Sequence, residues 1–232
     1  APIMELTVPF GIVLALYLLL RAIGFETGYK LFLHYESMYI VLGGTIGATL
    51  VHFPFSQFYE LLPRLSIVFS LKKRKPRKKV IEILDLALKV RTDGPQSLKE
   101  IMVKETDDFL KLGYQLIFDQ VTATKIKEVL EKKIELINFR HKIGIDFFSN
   151  SAKYAPGFGL IGTLIGLIIM LRELDKPELL GQNMSIALIT TFYGSLLANL
   201  ILLPLAGRLT ILNNEEILQK IMFLEGLLGI AN

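Results

Sequence analysis

Thr163 and Thr191 raise the first chemical question in this sequence, because each places a hydroxyl inside an apolar run that carries no charge. The run YAPGFGLIGTLIGLIIML, residues 154–171, also holds a proline and four glycines, and a second run at 184–205 holds Thr190, Thr191 and Ser195. A cation that crosses hydrocarbon needs either oxygen ligands or a titrating carboxylate. These runs supply oxygens only. If ions pass here, the binding charge must come from another protein.

At about 100° per residue, Gly162, Thr163, Gly166 and Met170 fall within about 60° of Gly159, with Pro156 at the edge. Around Thr191 the same construction gathers Ala187, Gly194, Ser195 and Ala198, while Thr190 lies about 100° away. Both faces are small and hydroxylated. Counting from Leu171 and Met184 as outer ends, Thr163 and Thr191 lie about 12 and about 10.5 Å deep, so they can share one level. Pro156 and Pro204 fall at the opposite, inner ends. Two readings remain open. Gly159, Gly162, Gly166, Gly194 and Ala198 can simply let helices approach closely, with each hydroxyl bonded to a carbonyl one turn back. Alternatively, two hydroxyls at one depth form part of an ion path.

The elements that would position these residues are membrane helices. The 232-residue chain is 52% hydrophobic with mean hydropathy +0.48, outside the usual range of a soluble domain. A span needs roughly 17–25 apolar residues, and four segments qualify: Ile3–Leu20, Met38–Phe53, Tyr154–Leu171 and Met184–Leu205. Glu5 and the lack of a cleavage site argue for a retained first span. The basic run KKRKPRKK at 72–79 follows the second span, and such runs mark the cytoplasmic side. Both termini and the long middle segment are therefore expected to be cytoplasmic.

The expected division is an N-terminal hairpin at 1–53, an interfacial connector and cytoplasmic helical domain at 54–150, a second hairpin at 151–207 and a C-terminal helix at 208–232. SLKE at 97–100 has capping-box spacing, and Asn213 or Asn214 is placed to cap the last helix. From about Thr124 to Ser151 apolar residues recur every three or four positions without a proline, so that helix is expected to run on into the third span. The class is all-α and polytopic.

Enzyme chemistry finds no support. The chain lacks a phosphate loop, and its only histidines, His34, His52 and His141, have no ligand-spaced neighbours. Cysteine is absent. Neither a metal nor a cofactor is expected, and no nucleic-acid partner.

The segments APGFGLIGTLIGLI, ITTFYGSLLANLILLPLAGRL and EGLLGIAN, with two spans on each side of a cytoplasmic insertion, resemble the flagellar stator family of MotA and its sodium-type relative PomA. TolQ and ExbB energy transducers are more distant, having three spans. The resemblance covers nearly the whole chain. It implies a homo-oligomeric ring, a pentamer, around two MotB/PomB-type helices that each carry a membrane aspartate, in the bacterial inner membrane. Ion passage would rotate the ring, and the cytoplasmic domain would turn the rotor protein FliG.

Pro156 and Pro204 match the prolines the family uses to couple ion flow to movement. Thr163 matches a threonine of sodium-type members, and Thr191 one shared more widely, so the implied ion is Na+ in preference to H+. Arg91 matches a rotor-facing arginine; Lys99 stands where the family has a glutamate, with Glu100 beside it. The basic run would bind anionic lipid. Family members commonly continue past GIAN, which implies a further C-terminal segment. The rival readings are a TolQ/ExbB-type proton channel subunit and a scaffold that conducts nothing.

Overall fold

The computed structural model describes residues 3–4, 7–24, 32–55, 70–71, 81–83, 85–86, 88, 90, 92 and 94–231. Among the described residues the fold is helical apart from one antiparallel pairing of two residues each, Ile3–Met4 (β1) with Ser70–Leu71 (β2). Helix α1 spans Thr7–Ile23. It therefore starts four residues later than the expected Ile3, and Pro9 sits in its first turn, where no N–H is required. Helix α2 is a run of three segments, Tyr35–Met38, a π turn Tyr39–Gly43, and Gly44–His52. Gly44 is required there because a Cβ would enter the Phe158 ring.

Helix α3 is Leu98–Lys104, α4 is Asp108–Phe118 and α5 is Ala123–Arg172, 50 residues without a break. The expected continuation of the soluble helix into the third apolar run is thus observed. Pro156 lies inside α5, so it neither starts a helix nor ends one. It has no N–H to give the Ala152 carbonyl one turn back. Helix α6, Pro177–Leu196, begins with proline at its first position, widens into a π turn at Leu197–Leu202 and continues as α7, Leu203–Ala231. The wide turn directly precedes Pro204, which cannot make the i−4 bond and needs room for its ring. Helices α5 and α6–α7 are long and apolar enough to cross a membrane, and little of either is buried within the chain; α1 is a shorter apolar helix.

The chain divides into two compact units, residues 1–72 with 143–209, and residues 73–142 with 210–232. In the first, Ala152, Ala155 and Ala198 form a small buried cluster between α5 and the π turn. In the second, Ile83, Leu98, Leu110, Ile126, Leu130 and Phe223 are among the fully buried side chains of a larger core. Gly113 and Gly226 admit the Leu227 and Ile83 side chains to that core.

Two expected caps are not formed. Ser97 lies in a 3-10 turn, Pro95–Ser97, and its hydroxyl donates to the Gly94 carbonyl at 2.8 Å, so it caps nothing in α3. Gly94 has φ +79°, which explains the glycine in DGP. Asn213 lies inside α7, with its amide committed to Asn138 Oδ1 at 2.8 Å and to His141 Nδ1 at 3.0 Å.

Helix α4 is capped by Asp107, which accepts from the Phe109 and Leu110 amides at 2.9 and 3.4 Å. The same carboxylate receives Lys220 Nζ at 2.8 and 2.6 Å. That ammonium is buried, 5.3 Å from the Phe109 ring centre and 5.7 Å from that of Phe223, within cation–π reach. Burial alone would raise the Asp107 pKa; the Lys220 ammonium and the two amides outweigh it and hold the carboxyl below its ordinary value.

Candidate functional site

The glycine faces of α5 and α6 meet each other. A Cβ on Gly159 would lie 3.0 Å from the Thr190 carbonyl oxygen and 3.1 Å from Thr191 Cα; one on Gly162 would lie 2.5 Å from Thr190 Cβ; one on Gly166, 2.8 Å from Ala187 Cβ. From the other side, a Cβ on Gly194 would lie 2.5 Å from the Ala155 carbonyl oxygen. Backbones therefore touch over three turns, as small residues permit in membrane helices. Thr190, the third hydroxyl expected on the ion pathway, is fully buried over Gly162 and donates to the Ala187 carbonyl at 2.8 Å.

This close approach brings Thr163 and Thr191 together. Their hydroxyl oxygens are 2.5 Å apart. Thr163 Oγ1 also reaches the carbonyls of Ala187 at 3.0 Å and Gly159 at 3.1 Å, and Thr191 Oγ1 reaches that of Gly159 at 3.4 Å. Two hydroxyls own two protons. If Thr191 donates to Thr163 and Thr163 to a carbonyl, lone pairs remain on both hydroxyls, beside the carbonyls of Gly159 and Ala187. The result is a concentration of four oxygens with no formal charge.

Thr163 is half-buried and Thr191 exposed. Thr191 shares its side of α6 with Ser195, one turn on, and Asn199 follows in the π turn; all three are exposed, and Asn199 Nδ2 donates to the Ser195 carbonyl at 2.9 Å. An apolar helix that presents a polar stripe on its outer surface requires something polar against it. Pro156 and Pro204 are also exposed.

Sequence reasoning missed the links that fasten α2 to α5. Thr49 and Ser151, both buried, join at 3.0 Å between hydroxyls, and His52 Nδ1 meets the Tyr154 hydroxyl at 2.6 Å, two residues before Pro156. The signal was available in Thr45, Thr49 and His52, polar residues on one side of an apolar run, with Ser151 and Tyr154 three apart on the other. Tyr154→Phe should lower thermal stability by about 1 kcal/mol, the worth of one hydrogen bond, with no loss of helix; circular dichroism melting of the purified protein measures it.

Lys99 is exposed on α3. Arg91, the basic run at 72–79 and most of the connector lie outside the described residues, as does the Glu100 side chain. Among the described residues no group of three or more metal-ligating side chains assembles.

Fold and site together define an all-helical membrane protein whose paired hydroxyls sit where two apolar helices touch. Residues 102–222 match the model of the MotA/TolQ/ExbB proton channel family, and the chain belongs to that family. It is 34% identical to Motility protein A of Treponema phagedenis over 199 residues, covering 86% of this chain and 77% of that protein. It is 30% identical to Chemotaxis protein PomA of Vibrio alginolyticus over 229 residues, 99% of this chain and 90% of the relative. Among solved structures, the flagellar MotAB stator complex from Bacillus subtilis superimposes with a TM-score of 0.86 at 27% identity, covering 96% of this chain and 88% of that one.

Proposed function

We propose that this chain is a flagellar stator subunit that couples ion flow across the bacterial inner membrane to torque on a rotor. The observation that carries the reading is the Thr163–Thr191 pair opening onto the polar stripe of α6. A single-span MotB/PomB-type partner, with its membrane aspartate against that stripe, supplies the charge the pair lacks. The family match and the likeness to a MotAB complex support such a partner and an oligomeric assembly. In this reading the chain spans the membrane four times with both termini cytoplasmic, five copies surround the partner helices, and the cytoplasmic unit drives FliG. Pro156 and Pro204 are the positions where each long helix bends as ions pass.

The ion is Na+. Dehydrated sodium gains from hydroxyl and carbonyl oxygens of the kind gathered at Thr163, whereas a proton can move to the aspartate without them. Co-expressed with its partner in cells that lack stators, the protein restores motility that depends on sodium. Thr163→Ala should raise the sodium concentration for half-maximal swimming speed about tenfold, the loss of one ligand worth ~1.4 kcal/mol, while the oligomer still assembles. Unaltered sodium dependence in both Thr163→Ala and Thr191→Ala would remove the ligand role. Support of transport or colicin uptake without motility would favour the TolQ/ExbB-type reading.

A further inference from the structure

The second unit holds a cavity of about 270 Å³ that the ion path does not use. Three segments line it. Glu82 and Leu86, both helical and four apart, share one side of the first; Ile101, Lys104 and Glu105, at spacings of three and four, share one side of α3 and its C-terminal cap; Tyr114 comes from α4. Leu110, one turn before Tyr114, is fully buried, so the tyrosine ring is carried into the same core.

Tyr114 is only 3% exposed, yet among the described residues its hydroxyl has no hydrogen-bond partner. The oxygen is not sealed in protein, so it is the part of the side chain that the cavity meets. A phenol set in a core wall is ordinarily bonded. Burial pushes its pKa up, and the carboxylates of Glu105, Glu82 and Asp107 push it further, in that order, so the hydroxyl keeps its proton at neutral pH and stands as a donor. Lys104, exposed, is a second donor and makes no ion pair among the described residues. Opposite in charge are Glu82 and Glu105, the latter fixed by the Thr106 and Asp107 amides at 2.9 and 3.0 Å. Leu86 and Ile101 supply an apolar wall.

This inventory selects a ligand by charge. A simple anion would meet two carboxylates, and a simple cation would meet the Lys104 ammonium. An apolar molecule would strip water from four polar groups and return no hydrogen bond. A zwitterion answers both signs at once. The volume falls just below the range of about 300–1,000 Å³ that holds drug-sized ligands, so the occupant is small. We propose that the cavity binds a free α-amino acid with an aliphatic side chain: its carboxylate accepts from Tyr114 and Lys104, its ammonium donates to Glu82 and Glu105, and its side chain lies on Leu86 and Ile101. Binding there depends neither on ion flow nor on a rotor.

Equilibrium dialysis of the detergent-purified protein against radiolabelled L-leucine tests this directly. Uptake should saturate and should be competed by L-isoleucine and L-valine. Isocaproate, which lacks the ammonium, and isoamylamine, which lacks the carboxylate, should compete poorly. Tyr114→Phe keeps the buried ring and removes only the hydroxyl; it should weaken binding about tenfold, the ordinary worth of one hydrogen bond to a charged group. Lys104→Gln, at an exposed position that carries no core packing, should weaken it to a similar degree, and Lys111→Gln, exposed on α4 away from the cavity, should not. Absence of saturable uptake at millimolar leucine overturns the proposal. So does competition by isocaproate or isoamylamine as strong as that by leucine, or parental affinity in both Tyr114→Phe and Lys104→Gln.

Discussion

Gly194→Ala will destabilise the α5–α6 hairpin by up to about 3 kcal/mol, and Gly194→Leu will prevent the protein from accumulating as a folded species. The added Cβ meets the Ala155 carbonyl oxygen at 2.5 Å and Gly159 Cα at 3.2 Å, all of it backbone. Overpacking commonly costs about 1–3 kcal/mol when side chains can yield; with only helix backbone to move, Gly194→Ala should reach the upper part of that range. Gly157, Gly181 and Gly207 have nothing within 4 Å of a built Cβ. Alanine at those positions should be neutral or stabilising by up to about 1 kcal/mol, because glycine is the poorer helix former. Thermal melting of the detergent-purified proteins separates the two groups. A Gly194→Ala melt equal to that of the parent would mean that α5 and α6 do not meet as described.

Lys220→Met will destabilise the second unit by about 3 kcal/mol, because it strands a partly buried carboxylate. Asp107 keeps its two amide bonds and some access to water, which places the cost at the low end for a broken buried pair. Adding Asp107→Asn to Lys220→Met should then be less harmful than the two single effects summed, since no charge is left unpaired.

The pair also sets an acid limit. The folded pKa of Asp107 is depressed, so its contribution is complete above the unfolded value of about 3.9 and is lost as pH falls through the lower folded value. Melting temperatures of the parent and Asp107→Asn should therefore converge as pH drops below about 4 and separate again towards neutrality. A constant gap across that range would show that the carboxylate is not stabilised by its partners.

What the sequence disclosed and what it withheld follow from range. The uninterrupted helix into the third apolar run was legible because its periodicity is local, as was the common level of Thr163 and Thr191, which needs only rise and pitch. The competing readings of the small faces turned out not to exclude each other: the glycines pack the helices, and that packing holds the hydroxyls together. Capping failed as a local signal. SLKE has the right spacing, but the preceding Gly94–Pro95 turn takes the Ser97 hydroxyl. Asp107 was passed over although it precedes α4 directly, and its partner Lys220 lies 113 residues away. His52–Tyr154 and Thr49–Ser151 each join residues 102 apart. No pattern within one helix announces such pairs.

Because Gly159, Gly162, Gly166 and Gly194 lie where α5 and α6 face one another, much of the surface away from the polar stripe is bulky and aliphatic, with Leu160 exposed on α5 as Ile46 is on α2 and Val13 on α1. Acyl chains are as apolar as leucine, so a neighbouring subunit that displaces them gains nothing from leaving water. The surrounding lipid is in effect a competitive ligand. Its chain length and order enter the assembly equilibrium on the same footing as a side chain, and a change of bilayer can do what a mutation does.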